Sequence, residues 1–355
     1  TGWLDLQAQY IPPGLVITYQ WRLVSSDGVV AVSTEEQTTW FDDRHDWQQS
    51  DGRYVSFHWY GLDDDFAADI LESADRTVAE LGDRFGLTAE TRFELWVYPN
   101  QTAFSEVLVP NSREALAAAT YPDFAITLAV VPDGSAAEIG RVIPHEVAHL
   151  VLYEATNSAF STVPLWFNEG LATHIQVGGT DGYLPMVTRA LEDGTLYSLR
   201  SIDVTFPFTA YEATLAYAAS WSAIAYIEDT WGDAGITSLI AAFAEGHPWD
   251  LAVELGLGIT MDEFEQGWRD WISEQAPDEA AQGRRTPRAK ELPLLQRTGR
   301  PRRVAPTERH VNTCTGRRST YSFAPRPTVT RKARWMLSAG SGWTFSARDS
   351  IPTSW

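Results

Sequence analysis

Residues 145–149 read His-Glu-Val-Ala-His, and twenty residues after the second histidine stands Glu169, inside Trp166-Phe167-Asn168-Glu169-Gly170. On a helix, side chains four apart lie one turn above each other, so the His145 and His149 imidazoles can reach one metal ion. Glu146, between them, then points at a metal-bound water as a general base. The pattern is that of a zinc-activated hydrolytic centre. The bland alternative is a core helix with two satisfied histidines. It would bury two His and a Glu with no cation to offset their polarity, which costs free energy.

Such a centre needs a third protein ligand. A metzincin pattern would place Gly and His at positions 152 and 155, which hold Leu152 and Ala155. The segment Pro164-Leu165-Trp166-Phe167-Asn168-Glu169-Gly170-Leu171-Ala172 offers another solution. With HExxH followed by P-x-W-x-x-E-G-x-A, the chain resembles the peptidase MA-like gluzincins, from about residue 52 to about residue 274. The resemblance implies Glu169 as the third ligand of a Zn²⁺ ion, and hydrolysis of peptide bonds in a peptide or protein substrate.

It also implies an oxyanion donor from the C-terminal half. Tyr217 is the candidate, in Ala216-Tyr217-Ala218-Ala219-Ser220, with Tyr211 and His174 as lesser ones. His174 lies five residues past Glu169, roughly 140° around the helix, which suits a cleft wall better than ligation. One departure stands out: gluzincins often carry an acidic residue four beyond the ligand Glu to orient a zinc histidine, and this chain has Thr173 there. The rival to an enzyme is a zincin-fold cell-surface binding module of weak or no turnover, against which the intact Glu146 argues.

The elements that must position these residues are read from periodicity. Leu15 to Val24 and Val29 to Trp40 read as strands around the turn Ser26-Asp27-Gly28, and Tyr54 to Tyr60 alternates like a third. Asp63 to Phe85 has helical spacing and stops at Gly86, with Asp63, Asp64 and Asp65 at the favoured end of the helix dipole. Arg92 to Tyr98 reads as a strand, Asn100 to Leu108 as a short helix and Phe124 to Val131 as a strand. Residues Thr120 to Ala125 are then expected along the substrate cleft, with the Phe124 to Val131 strand either its edge or an internal strand. In the metal helix Pro144 either kinks the chain or begins a fresh turn. Helices are expected over Thr214 to Trp231, Ala234 to Glu245, Pro248 to Leu255 and Met261 to Ala276, with stops at Gly232, Gly246 and Gly256.

The fold class implied is α+β: a zincin-like metallopeptidase with a mixed β-sheet N-terminal lobe and a helical C-terminal lobe. A small β-rich segment, residues 1–51, precedes a domain over 52–276. His45, His58 and His247 are read as structural or surface residues.

Charge separates the body from the tail. Up to Ala276 there are 11 Arg, no Lys and 42 acids, a balance of 11 − 42 = −31. From Pro277 onward 16 basic residues face 5 acids, a balance of 16 − 5 = +11. An acidic body argues against nucleic acid as a partner. The tail, 277–355, is Arg-, Pro- and Ser/Thr-rich without periodicity and is expected to be disordered. It reads either as a polybasic arm or, on its abrupt change of composition, as the product of a reading-frame shift. The single cysteine, Cys314, allows no intramolecular disulfide, and no apolar run is long enough for a transmembrane helix. An extracellular or cell-surface location is what the resemblance implies.

Overall fold

Three neighbouring strands with few charged side chains, Val55–Trp59, Phe93–Tyr98 and Ile126–Val130, form the middle of the sheet from which the rest of the fold is built. A computed structural model describes residues 11–24, 30–108, 117–157, 163–207 and 209–275. The basic tail and the Ser26-Asp27-Gly28 turn lie outside the described residues.

The chain opens with four short strands, β1 (Val16–Tyr19), β2 (Arg22–Val24), β3 (Val30–Val32) and β4 (Glu36–Thr39). β1 pairs antiparallel with β4 and β2 with β3, as the two expected hairpin arms require. The register shifts by one residue between the pairs, Tyr19 facing Glu36 but Arg22 facing Val32, so each arm is two strands instead of one.

The main sheet has the order β5 (Gln48–Asp51), β6 (Val55–Trp59), β7 (Phe93–Tyr98), β9 (Ile126–Val130), β8 (Ala118–Tyr121). The inner pairs β6–β7 and β7–β9 are parallel, the outer pairs antiparallel. Both faces of the inner strands are covered. Phe57, Trp59, Leu95, Val97 and Ala129 face the larger core, while Trp96, Tyr98, Leu128 and Val130 face a second, aromatic one with Phe104. Burial on both faces explains why these strands lack a clean polar alternation. The strand expected at Phe124 to Val131 is therefore internal, between β7 and β8, and β8 ends the sheet on that side among the described residues. Residues 122–124 form a 3-10 turn, and Ala125, at φ 56°, swings the chain into β9.

The helix α1 (Asp64–Phe85) begins as its acidic start demands, with the Asp63 side chain accepting from the Asp65 and Phe66 N–H groups. Gly86, at φ 70°, ends it. A short α2 (Gln101–Ser105) is capped by Asn100. Then come α3 (Ala136–Thr156), α4 (Leu165–Ile175), α5 (Tyr183–Glu192), α6 (Ala210–Ala244), α7 (Trp249–Leu257) and α8 (Met261–Glu274). α5 falls in a stretch to which the periodicity assigned no element. α6 is broken at Gly232 (φ 67°, ψ −171°), where the sequence places a stop. α7 runs through the expected stop at Gly256, where a Cβ would lie 3.2 Å from the Leu239 backbone N, and ends at Gly258, which takes the left-handed cap at φ 75°. No described helix is long and apolar enough to cross a membrane.

α4 and α6 pack too closely for a side chain to stand between them. A Cβ at Gly170 would lie 2.5 Å from the Ser220 carbonyl oxygen and 2.9 Å from Ile224 Cγ1, so the two backbones meet at that glycine. A charged network fixes the same helices to α1. Arg84 reaches Glu228 at 2.6 Å and Asp233 at 2.8 Å, and Glu228 also meets His174 of α4 at 3.1 Å.

Two outcomes are expected. Gly170→Ala forces backbone displacement at a buried contact, costing about 2 kcal/mol, and thermal unfolding should fall by several degrees with no change in helix content at low temperature. Arg84→Ala should cost about 1 kcal/mol at neutral pH, a surface-pair magnitude because Asp233 is 39% exposed. The Asp233 carboxyl is held below its ordinary pKa chiefly by its hydrogen bond from Arg84. Its contribution is thus present above the unfolded value and lost as pH falls through the lower folded value. Urea unfolding of parent and variant should accordingly begin to converge as pH falls below the ordinary Asp value, about 4, and meet only below the lowered folded value.

Candidate metal centre

α3 is apolar around much of its circumference, with Ile139, Val142, Ile143, Val147, Leu150 and Val151 all buried, so it threads the core instead of lying on it. Pro144 is inside this helix, which continues through it as one element. One turn apart on its remaining face, the rings of His145 and His149 meet edge to face with centroids 4.8 Å apart. Glu169, from the middle of α4, faces both: its Oε2 is 3.3 Å from His145 Nε2 and 3.6 Å from His149 Nε2. Potential ligand atoms of the three residues lie within 4.8 Å of one another.

The outer side of each ring is spoken for. His149 Nδ1 lies 2.8 Å from Asn168 Oδ1, and His145 Nδ1 lies 3.2 Å from Gln176 Oε1. An amide oxygen only accepts, so each Nδ1 carries the proton and each Nε2 turns a lone pair inward. Glu169 Oε2 is buried and lacks a hydrogen-bond partner. With both rings neutral, three lone-pair atoms thus converge, an arrangement that repels itself unless a proton or a metal cation sits among them. A borderline cation taking two imidazoles and one carboxylate fits this donor set, and zinc is the usual one.

The electrostatics agree. Burial opposes ionisation of Glu169, yet the His149 and His145 charges and a hydrogen bond from the Tyr217 hydroxyl hold its pKa below the ordinary value. Burial also opposes charge on His145, but the Glu169 hydrogen bond and the Glu146 charge raise its pKa overall. The pocket attracts positive charge.

Glu146 points to the other side, toward the sheet edge. Its Oε2 accepts a 2.6 Å hydrogen bond from Thr120 Oγ1 on β8. Thr120 has one hydroxyl proton, so the 2.8 Å contact with Thr127 Oγ1 has Thr127 as donor. Thr120 is part of the stretch expected along the cleft, but on β8, not on a strand starting at Phe124. A hydrogen bond from Tyr153 of α3 to Asp123 closes this end of the helix onto the turn after β8.

Tyr217, on α6, lies with its ring centroid 6.3 Å from that of His145 and packs edge-on against Phe206. The structure therefore brings together His145, His149, Glu169, Glu146 and Tyr217. Tyr211 is 64% exposed and stands apart. His174 turns to Glu228, in the network with Arg84. His58 bonds Glu94 and stacks on Trp96, His45 stacks on Tyr60, and His247 meets Glu245.

Thr173 does not orient a histidine. Its hydroxyl is buried without a hydrogen-bond partner, and the task falls to Asn168 and Gln176, which sequence reasoning did not single out. A signal existed for Gln176: seven residues past Glu169 is two helical turns, the same face. Asn168 had only its adjacency to Glu169.

A search among curated proteins finds no match. Among solved structures, an M1 zinc metallopeptidase from Deinococcus radiodurans is 15% identical with a TM-score of 0.38, covering 75% of this chain and 63% of that one. A two-domain M1 zinc metallopeptidase variant bound to L-arginine is 16% identical with a TM-score of 0.40, covering 73% of this chain and 61% of the other. The chain thus spans less than two thirds of the length of these structures. The profile of the Peptidase MA superfamily matches residues 73–274, a stretch that includes both histidines, Glu146, Glu169 and Tyr217. With more than half of its length matched, the chain belongs to the Peptidase MA superfamily.

Proposed function

We propose that the protein is a zinc-dependent metallopeptidase that hydrolyses peptide bonds. One observation carries the reading: the inward-facing Nε2 atoms of His145 and His149 and the orphaned Glu169 Oε2, beside a carboxylate that is held off the metal position by Thr120. His145, His149 and Glu169 would hold the ion. When bound, zinc supplies Lewis acidity, lowering the pKa of a water and polarising the scissile carbonyl.

The remaining work falls to the chain's own side chains. Glu146 takes a proton from the attacking water and returns it to the leaving amine, so it must reach both atoms. Thr120 steadies that carboxylate on the cleft side by donating its hydroxyl proton to Oε2. Tyr217, whose ring lies beside that of His145, donates its hydroxyl proton in a hydrogen bond to the developing oxyanion. An extended substrate would add as a strand to β8, whose second edge carries no strand among the described residues. Main-chain pairing gives affinity with little demand on sequence.

The full chain purified without chelator should carry about one zinc per molecule by elemental analysis, and Glu169→Ala should carry much less. Glu146→Gln should retain the metal and lose turnover of a peptide library by at least a hundredfold, the scale of a positioned general base. Undiminished turnover would remove Glu146 from its role. A parent that holds zinc yet cleaves nothing would favour the binding-module reading. Tyr217→Phe should keep zinc and lower kcat roughly a hundredfold with KM little changed, as loss of a transition-state hydrogen bond does.

A further inference from the structure

Pro144 stands directly before His145, and its effect is felt one turn back. Proline has no N–H, so the Gly140 carbonyl has no donor from within α3. The Val177 N–H takes that carbonyl at 2.8 Å, from the segment just past α4. Gly140 makes the approach feasible, because a Cβ there would come within 3.2 Å of Val177 Cβ. Gly178 and Gly179, at φ +80° and +81°, then turn the chain away through conformations that only glycine adopts cheaply.

Gln176 is caught between these anchors. Its own N–H bonds back to Ala172 at the end of α4, and the next residue is clipped to α3. Its side-chain Nε2 donates to the Gly178 carbonyl at 2.9 Å, which leaves Oε1 aimed at His145 Nδ1. The amide cannot flip without losing both bonds.

We infer that Gln176 is a positioning residue for the metal centre, and that the carbonyl freed by Pro144 is the clip that holds it there. The inference rests on the zinc reading above. A neutral amide fixes the ring and tautomer of His145 without adding negative charge, so it orients the ligand while leaving it less basic than a carboxylate partner would. The clip and the ligand share one helix, separated by a single turn. Proline thus replaces a helical hydrogen bond with a tertiary one that reaches the first histidine from outside.

The test is zinc affinity of the full chain, measured at fixed pH by competition with a chromophoric chelator. Gln176→Ala should weaken zinc binding roughly ten- to hundredfold, the usual cost of losing an outer partner of a ligand histidine. Gln176→Glu keeps an acceptor for His145 Nδ1 but loses the donor to the Gly178 carbonyl, so its affinity should fall between those of the parent and the alanine variant. Pro144→Ala returns an N–H to the Gly140 carbonyl and frees Val177, so zinc should bind several-fold more weakly while the metal-free protein unfolds at no lower temperature. Equal affinity in parent and Gln176→Ala overturns the assignment, as does a Gln176→Glu variant as weak as the alanine. Parental affinity in Pro144→Ala, or a loss matched by lower metal-free stability, overturns the clip. A parent chain that takes up no zinc overturns the functional reading instead, and does so before any variant is compared.

Discussion

Three electron pairs aimed at one point are the constraint around which this molecule is organised. His145 and His149 present theirs because each ring is bonded on its outer side, and Glu169 presents its own because α4 brings its Oε2 there without a hydrogen-bond partner. Left to itself the cluster would relax by rotating a ring or turning the carboxylate to solvent. The surroundings prevent both. α3 is buried along most of its length, α4 is pressed on α6 at Gly170 with no room for a side chain, and the two amides hold the rings. Stability is thus given up to maintain a configuration that is favourable only with a cation in its midst.

The same helix serves two sides of the chemistry because its residues differ in direction. His145 looks toward α4, and Glu146, one residue on and about 100° around, looks toward the sheet edge. The sheet answers with Thr120, whose single proton goes to Glu146 while Thr127 supplies one to Thr120. A parallel centre with antiparallel edges suits this division of labour. The inner strands are buried on both faces, whereas β8 is paired on one side only among the described residues.

How much of this was legible depends on the range of the interactions. The ligand spacing in residues 145–149 is a property of one helix, so it could be read directly, and Glu169 came from a second motif nearby. Asp63 and Gly86 marked the ends of α1 for equally local reasons. The choice of edge strand was not legible, because β8 and β9 differ in position and not in pattern, and strand order is settled by long-range pairing. The stop at Gly256 was misplaced for a related reason: a glycine can be required by close approach of another helix as well as by a left-handed turn. Gln176 and Asn168 escaped notice because an amide partner is defined by where the chain returns, and Thr173, the position that sequence favoured, points into a place with nothing to bond.

The broken helix α6 has a further consequence. Tyr217 lies before the break at Gly232 and the contacts with α7 largely after it, and a glycine in an extended, positive-φ conformation offers no stiffness of its own. Arg84 grips Glu228 on one side of the break and Asp233 on the other. Arg84 thus bridges the break with charge, adding to the buried packing of both halves at a place where a continuous helix would have backbone hydrogen bonds. Charges near the surface answer to ions in solution, with a screening length of about 8 Å at physiological strength. The joint between the two halves therefore has one component that responds to the ionic strength of the protein's surroundings, a guanidinium that belongs to neither the site nor its helix.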